Sequence, residues 1–211
     1  MVQVSNDGSL NGADRLRRRA EARRLEILRA AARAFREKGF AGAGMRDIAA
    51  RADLSPGNLY HYFKSKHEIL YFCQDRWLDH MLSVLERVQL DARPAGERLR
   101  ELLEHHVRYL LDELEGSAAH LEVEALPPDL RNPIVSRRDR YERGLRKLVK
   151  AGVQAGEFAP CDPRLVTRAI LGAVNWTARW FRPEGSTSAD KVADSMAGYL
   201  VRGLSVHGGR S

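Results

Sequence analysis

With 44% hydrophobic and 30% charged residues in 211, the chain has enough apolar side chains for a sizeable core and too few charges for a disordered polyelectrolyte. Its formal net charge of +7 sits at one end: residues 1–66 hold 14 Lys and Arg against 7 Asp and Glu, whereas residues 67–211 hold 21 of each. Two distant cysteines, Cys73 and Cys161, exclude a disulfide scaffold and a paired-cysteine metal site; with no apolar run of signal-peptide or membrane-span length, the expectation is a cytoplasmic protein without cofactor or metal.

Residues 1–12 are rich in Ser, Asn and Gly and are expected to be disordered. Arg15, Arg17, Arg18, Arg19, Arg23 and Arg24 then lead into a helix whose Ile27, Leu28, Ala31 and Phe35 form one apolar face, ended by Gly39. Such a cluster suits a solvated helix face or, beside a nucleic-acid-reading element, an arm that meets phosphates or the minor groove.

The stretch Gly44–Lys66, GMRDIAARADLSPGNLYHYFKSK, reads as two short helices around a tight turn, followed by the start of a third. Gly44 is placed as an N-cap with Asp47 three residues on, where a carboxylate favours the positive end of the helix dipole. Ile48, Ala49 and Ala52 face inward. Asp53 falls at the turn, a position that needs left-handed backbone angles, which Asp tolerates. Ser55 caps the second helix and Pro56 takes its first position. Leu59, Tyr62 and Phe63 point to the core, leaving Gly57, Asn58, Tyr60 and His61 outward near the helix start. Ser65 and Glu68 form a capping box for the next helix, flanked by Lys64 and Lys66.

That helix is predicted from Lys66 to about Leu90, with Ile69, Leu70, Cys73, Trp77, Met81 and Leu85 on one face. Leu99, Leu102, Leu103, Val107, Leu110, Leu111 and Leu114 mark another, interrupted at Gly116, and a shorter helical piece runs through Leu126. PPDLRNP, Pro127–Pro133, reads as a loop. A basic helix follows to Gly156 with Ile134, Tyr141, Leu145, Leu148, Val149 and Gly152 inward. Asp162 and Pro163 open the next helix, with Leu165, Ala169, Gly172, Trp176 and Trp180 on one stripe. Thr187 and Asp190 are placed to cap the last, where Val192, Ala193, Met196, Ala197, Leu200 and Leu204 turn inward. No strand pattern stands out, so the expected fold class is all-α, with about nine helices.

RDIA at Arg46–Ala49, SPGNLYHYF at Ser55–Phe63 and KSKHEIL at Lys64–Leu70 resemble, in order, the DNA-binding domain of the TetR family of transcriptional regulators. Gly44 stands where that family often has Thr, and Asp53 where it often has Gly. The resemblance implies a DNA-binding domain over 1–66 and an effector-binding and dimerisation domain over 67–211, linked by the helix that starts at Lys66. It implies base contacts from Arg46, Gly57 and Asn58, phosphate anchoring by Tyr60, His61 and Lys66, and a homodimer through the last two long helices that sets two reading helices on a palindromic operator. Arg17 and Arg18 add arm contacts. Small residues Ala169, Gly172, Ala173, Ala193, Ala197 and Gly198 would allow close approach at the dimer interface.

A ligand site is expected among Trp77, His105, His106, Tyr109, His120, Trp176, Arg179 and Trp180. The segment NWTARWFRP, Asn175–Pro183, resembles one found in TetR-family members that respond to acyl-coenzyme A thioesters, which would make Arg137, Arg138, Arg143, Arg179 and Arg182 candidates for the coenzyme phosphates. Adjacent His105 and His106 point about 100° apart on a helix and cannot share a metal, so nothing supports an enzyme. The alternative is an architectural DNA-binding protein without a small-molecule effector; the uncharged carboxy-terminal part argues against it.

Overall fold

Apolar residues at helical spacing bury one side of most segments of this chain, and the computed structural model, which describes residues 7–111 and 122–206, is built accordingly from helices. They are α1 (Asp7–Gly42), α2 (Met45–Arg51), α3 (Pro56–Tyr62), α4 (Lys66–Leu90), α5 (Ala95–Leu111), α6 (Pro128–Gln154), α7 (Pro163–Trp180) and α8 (Ala189–Leu204), with one 3-10 turn, Val123–Ala125, ahead of α6. Among the described residues, extended pairing is limited to a single bridge between Phe158 and Ser205. The all-α expectation holds, with eight α-helices and a 3-10 turn among the described residues for about nine. None of the described helices is long and apolar enough to cross a membrane.

Ile27, Ala31 and Phe35 of α1, Ile48 and Ala49 of α2, and Leu59 with Phe63 of α3 close into one apolar cluster. Gly39 interrupts α1 at its expected position with φ 69° and ψ 162°, a combination outside the helical range, after which one more turn runs to Gly42. Asp53 takes the left-handed turn at φ 50°. Ile69 and Leu70 begin α4 inside the same cluster, and Trp77, Met81, Leu85 and Val88 carry it on against α5 and α6. Helix α5 is central: Leu99, Leu102, Leu103 and Val107 are fully buried, and α4, α6, α7 and α8 all pack on it.

Its amino terminus is capped from afar. The Glu157 carboxylate accepts from the Ala95 and Gly96 amides at 2.9 and 2.8 Å. Glu157 is placed by the turn after α6, where Gly156 adopts φ +71° and the Glu157 and Phe158 amides both donate to the Gly152 carbonyl at 2.9 and 3.1 Å. Phe158 then lies buried directly on Gly152.

Four sequence expectations need correction. Disorder does not extend over the first dozen residues: α1 already begins at Asp7, the helix being propagated back from its long arginine-rich segment. The Pro127–Pro133 segment is not a loop. Pro127 is extended, Pro128 takes the first helical position where no N–H is needed, and α6 continues through Pro133, which forgoes one backbone bond while Ile134 beside it is fully buried. The cap of α8 is Ser188, whose hydroxyl accepts from the Lys191 amide at 3.3 Å, one residue beyond Thr187. Of the small residues assigned to a dimer interface, Ala193, Ala197 and Gly198 are buried within the chain itself, while Ala169 and Gly172 are exposed. Leu114, Gly116 and His120 lie outside the described residues.

Candidate nucleic-acid interface and ligand cavity

Each end of the α2–turn–α3 unit is fixed by a side chain of the expected type. The Asp47 carboxylate accepts from the Gly44 amide at 2.9 Å and pairs with Lys38; that Lys38 bond first, then the Gly44 amide, holds its carboxyl below the usual range. The Ser55 hydroxyl accepts from the Asn58 amide at 3.2 Å. The Ser65 hydroxyl accepts from the Glu68 amide at 3.2 Å, and the Glu68 carboxylate accepts from the Lys64 amide at 2.6 Å. With the backbone so pinned, Gly57, Asn58, Tyr60 and His61 are all exposed on one short helix, and Arg46 is exposed on α2. Tyr60 stands 53% exposed, a large aromatic ring left in solvent beside a cationic surface.

Arg17 and Arg18 are 80% exposed, each paired with Asp14 at 2.8 and 3.3 Å. Surface pairs of this kind are weak, so both guanidiniums remain available to an external anion. Two other cations of the stretch have internal duties. Arg23 donates to the Ala52 and Asp53 carbonyls at 3.0 and 3.3 Å and so holds the turn between α2 and α3. Lys66 donates to the Phe40, Ala41 and Ala43 carbonyls at 2.8, 3.1 and 3.1 Å, satisfying the carboxy-terminal end of α1 from the first residue of α4. The Lys66 ammonium thus joins α1 to α4 and presents positive charge, not spare donors, at the surface.

A cavity of about 160 Å³ opens among α4, α5, α6 and α7. It is lined by Trp77 of α4, His106 of α5, Arg138, Asp139, Tyr141 and Glu142 of α6, and Leu171 and Asn175 of α7. His106 is fully buried and links two helices: Nδ1 meets the Tyr141 hydroxyl and Nε2 the Asn175 Oδ1, both at 3.0 Å. Burial pushes the imidazole down to about 4, so it is neutral at pH 7 with a single N–H. That N–H sits on Nε2 and is donated to the Asn175 carbonyl oxygen, which leaves Nδ1 to accept from the tyrosine hydroxyl. Burial likewise raises the Tyr141 phenol. Trp77 stands edge-on to His106 at 5.0 Å and to Tyr141 at 5.9 Å. Half-buried Arg138 is pushed down to about 10 by burial, opposed by Glu124.

The sequence-predicted ligand set is therefore divided. Trp77 and His106 meet in the cavity. Tyr109 instead stacks on His80 at 4.2 Å, and His105 lies beside Arg87 at 3.2 Å. Arg143 is exposed on α6, and Arg137 is paired with Asp75 and Asp79. Arg179 and Arg182 line a separate groove of about 430 Å³ with Arg36 of α1. Trp176 and Trp180 point outward, 64% and 47% exposed, in a stripe with Leu165, Ala169 and Gly172. The inward face of α7 is Thr167, Ile170, Val174 and Thr177.

Asn175 and Tyr141 are cavity residues that the sequence-predicted set lacks. Tyr141 is legible in the sequence as an inward position, and a polar Asn175 one residue before an outward tryptophan is the available signal for a polar partner inside.

Residues 27–71 match the description "Bacterial regulatory proteins, tetR family", and residues 92–204 match "Tetracyclin repressor-like, C-terminal domain". The HTH-type transcriptional repressor KstR2 of Mycobacterium tuberculosis is 29% identical over 204 residues, covering 92% of this chain and 99% of the relative; the solved structure of this ketosteroid transcriptional regulator superposes with a TM-score of 0.79 at 26% identity, over 88% and 96% of the two chains. PfmR from Thermus thermophilus gives a TM-score of 0.75 at 36% identity over 83% of this chain and 97% of that one. AibR in complex with isovaleryl coenzyme A and operator DNA gives 0.73 at 30% identity over 85% and 98%. The two matched segments cover α2, α3 and the start of α4, and then α5 to α8, and the chain belongs to the TetR family of bacterial transcriptional regulators.

Proposed function

We propose that the chain is a dimeric repressor whose two α3 helices read a palindromic operator in successive major grooves and which leaves that operator when an acyl-coenzyme A thioester occupies its body. The observation that carries the reading is the capped, exposed face of α3, held rigidly at the one end of the chain that bears net positive charge. In this reading residues 1–66 form the DNA-binding head and 67–211 the effector-binding and dimerisation body. Arg46, Gly57 and Asn58 meet base edges, Tyr60 and His61 meet phosphates, and Arg17 and Arg18 extend the contact along the backbone. Lys66 adds charge near the phosphates while its donors stay on the α1 carbonyls.

The dimer is supported by the outward stripe of α7 together with Tyr199 of α8, which is 71% exposed. Exposed aromatic residues in line on one helix are unusual on a monomer, and a two-fold pair of heads matches a palindrome. The effector reading is supported by the cavity and by the likeness to AibR, solved with isovaleryl coenzyme A. A ligand releases DNA only through its preference for one of the two arrangements of the heads.

A duplex selected from a randomised pool tests this. A saturable complex of two chains on one short palindrome, dissociated by isovaleryl-coenzyme A, is expected. Length-dependent coating of any duplex, unaffected by thioesters, would instead support an architectural role and overturn the proposal.

A further inference from the structure

We infer that the acyl group of the effector is limited to about eight non-hydrogen atoms, the size of a benzoyl group, because the cavity that receives it is small and the helices around it are tied together. This rests on the acyl-coenzyme A reading above and sets its specificity. A cavity of about 150 Å³ lined by apolar side chains holds one benzene; the volume here is about 160 Å³. A branched five-carbon acyl or a benzoyl group fills such a space, whereas a sixteen-carbon chain or a steroid does not fit within it.

Expansion is resisted by the walls. His106 is tied to α6 through Tyr141 and to α7 through Asn175, so spreading α5, α6 and α7 breaks buried hydrogen bonds. Trp77, 3% exposed and wedged edge-on against both His106 and Tyr141, closes the side formed by α4. Half-buried Leu171 supplies the opposing apolar wall on α7. The polar lining holds donors for a thioester carbonyl beside two carboxylates: Asn175 gives its oxygen to His106, which leaves its amide N–H groups as donors, and Arg138 lies in the same lining with Asp139 and Glu142. A compact acyl group thus packs on Trp77 and Leu171 with its carbonyl oxygen toward donors.

The test is calorimetric titration of the full chain with isovaleryl-, benzoyl-, palmitoyl- and cholyl-coenzyme A and with free coenzyme A, below the micellar concentration of the long thioester. Isovaleryl- or benzoyl-coenzyme A is expected to bind at least about thirtyfold more tightly than the palmitoyl and cholyl thioesters and than the free coenzyme. In Leu171→Ala, or in Trp77→Phe should the first variant fold poorly, the discrimination against the larger acyl groups is expected to shrink below about fivefold. Equal or tighter binding of palmitoyl- or cholyl-coenzyme A, or of the free coenzyme, overturns the size limit while leaving a coenzyme A effector in place. An unchanged preference in both folded variants overturns the role of these walls. Binding of none of the thioesters removes the effector reading and this inference with it.

Discussion

Trp176→Arg is expected to convert the protein to a monomer and to lower its affinity for a selected palindromic duplex by about a hundredfold or more. The side chain is 64% exposed in the single chain, so the substitution leaves the protomer's own core untouched, and a surface change of this kind costs within about 0.5 kcal/mol of fold stability. Its expected effect lies at the proposed interface between chains. In a two-fold interface every substitution appears twice, and a tryptophan near the middle of such a patch is the residue type that most often dominates association. Burying two unpaired guanidiniums in place of two indoles costs several kcal/mol, on the order of 2–5 per buried charge. A monomer then grips one half-site with one head, and its binding approaches the non-specific level, about a thousandfold or more below a specific complex. Sedimentation velocity and gel shift on one preparation check this together, with circular dichroism expected to be unchanged. A Trp176→Arg chain that still sediments as a dimer and holds the operator removes α7 as the interface.

The second large effect is on stability. Gly152→Val is expected to destabilise the fold by about 2–4 kcal/mol, because a Cβ at this position would lie 2.2 and 2.3 Å from two ring atoms of Phe158. The ring is 2% exposed and fixed by the turn that also carries Glu157, the cap of α5, so it has nowhere to move. Gly152→Ala shares the clash and is expected to lose more than the roughly 1 kcal/mol that alanine gains in a helix. Gly144 provides the contrast. A Cβ there would meet Leu85 methyl groups at 2.2 and 3.0 Å, but these end a flexible side chain able to change rotamer, so Gly144→Ala is expected to cost less than Gly152→Ala. Urea unfolding at one fixed protein concentration, as the proposed dimer requires, ranks the three variants. Equal stability of Gly152→Val and the parent would mean that the α6–α7 turn does not hold Phe158 as described.

Short-range chemistry was the legible part of this sequence. The capping pairs at Gly44, Ser55 and Ser65 and the left-handed turn at Asp53 depend on residues within three or four positions of one another, and all occur as expected save that the Glu68 carboxylate takes the Lys64 amide in place of the Ser65 amide of a full capping box. The inward face of α6 followed from spacing alone. Features set by distant partners were not legible. The stripe of Leu165, Trp176 and Trp180 has the hydrophobicity of a core face, yet it lies outward, because the narrower face of Thr167, Ile170, Val174 and Thr177 is what α5 and α6 can accommodate. Periodicity identifies an apolar face but not what covers it. The polar bridge of His106, Tyr141 and Asn175 joins residues 35 and 69 positions from the histidine, beyond any local pattern. Lys66 and Arg23 read as anion contacts because their carbonyl partners lie 23–30 residues away in sequence. The Pro127–Pro133 segment misled for a different reason: packing of Ile134 outweighs the one backbone bond that Pro133 gives up.

The most direct measurement of how the chain reads DNA is a salt series of binding to the selected duplex and to random duplex, for the parent, Asn58→Ala, and Arg17→Ala with Arg18→Ala. Asn58→Ala is expected to weaken binding by about 1–3 kcal/mol on the selected duplex and little on random DNA, relaxing preference at one base pair. The arginine double variant is expected to weaken both duplexes alike and to flatten the salt slope by about one unit for each phosphate no longer neutralised. Equal weakening on both duplexes for Asn58→Ala, with an unchanged slope for the arginine variant, would contradict the reading of α3 as the base-reading helix and of the amino-terminal arginines as its phosphate arm.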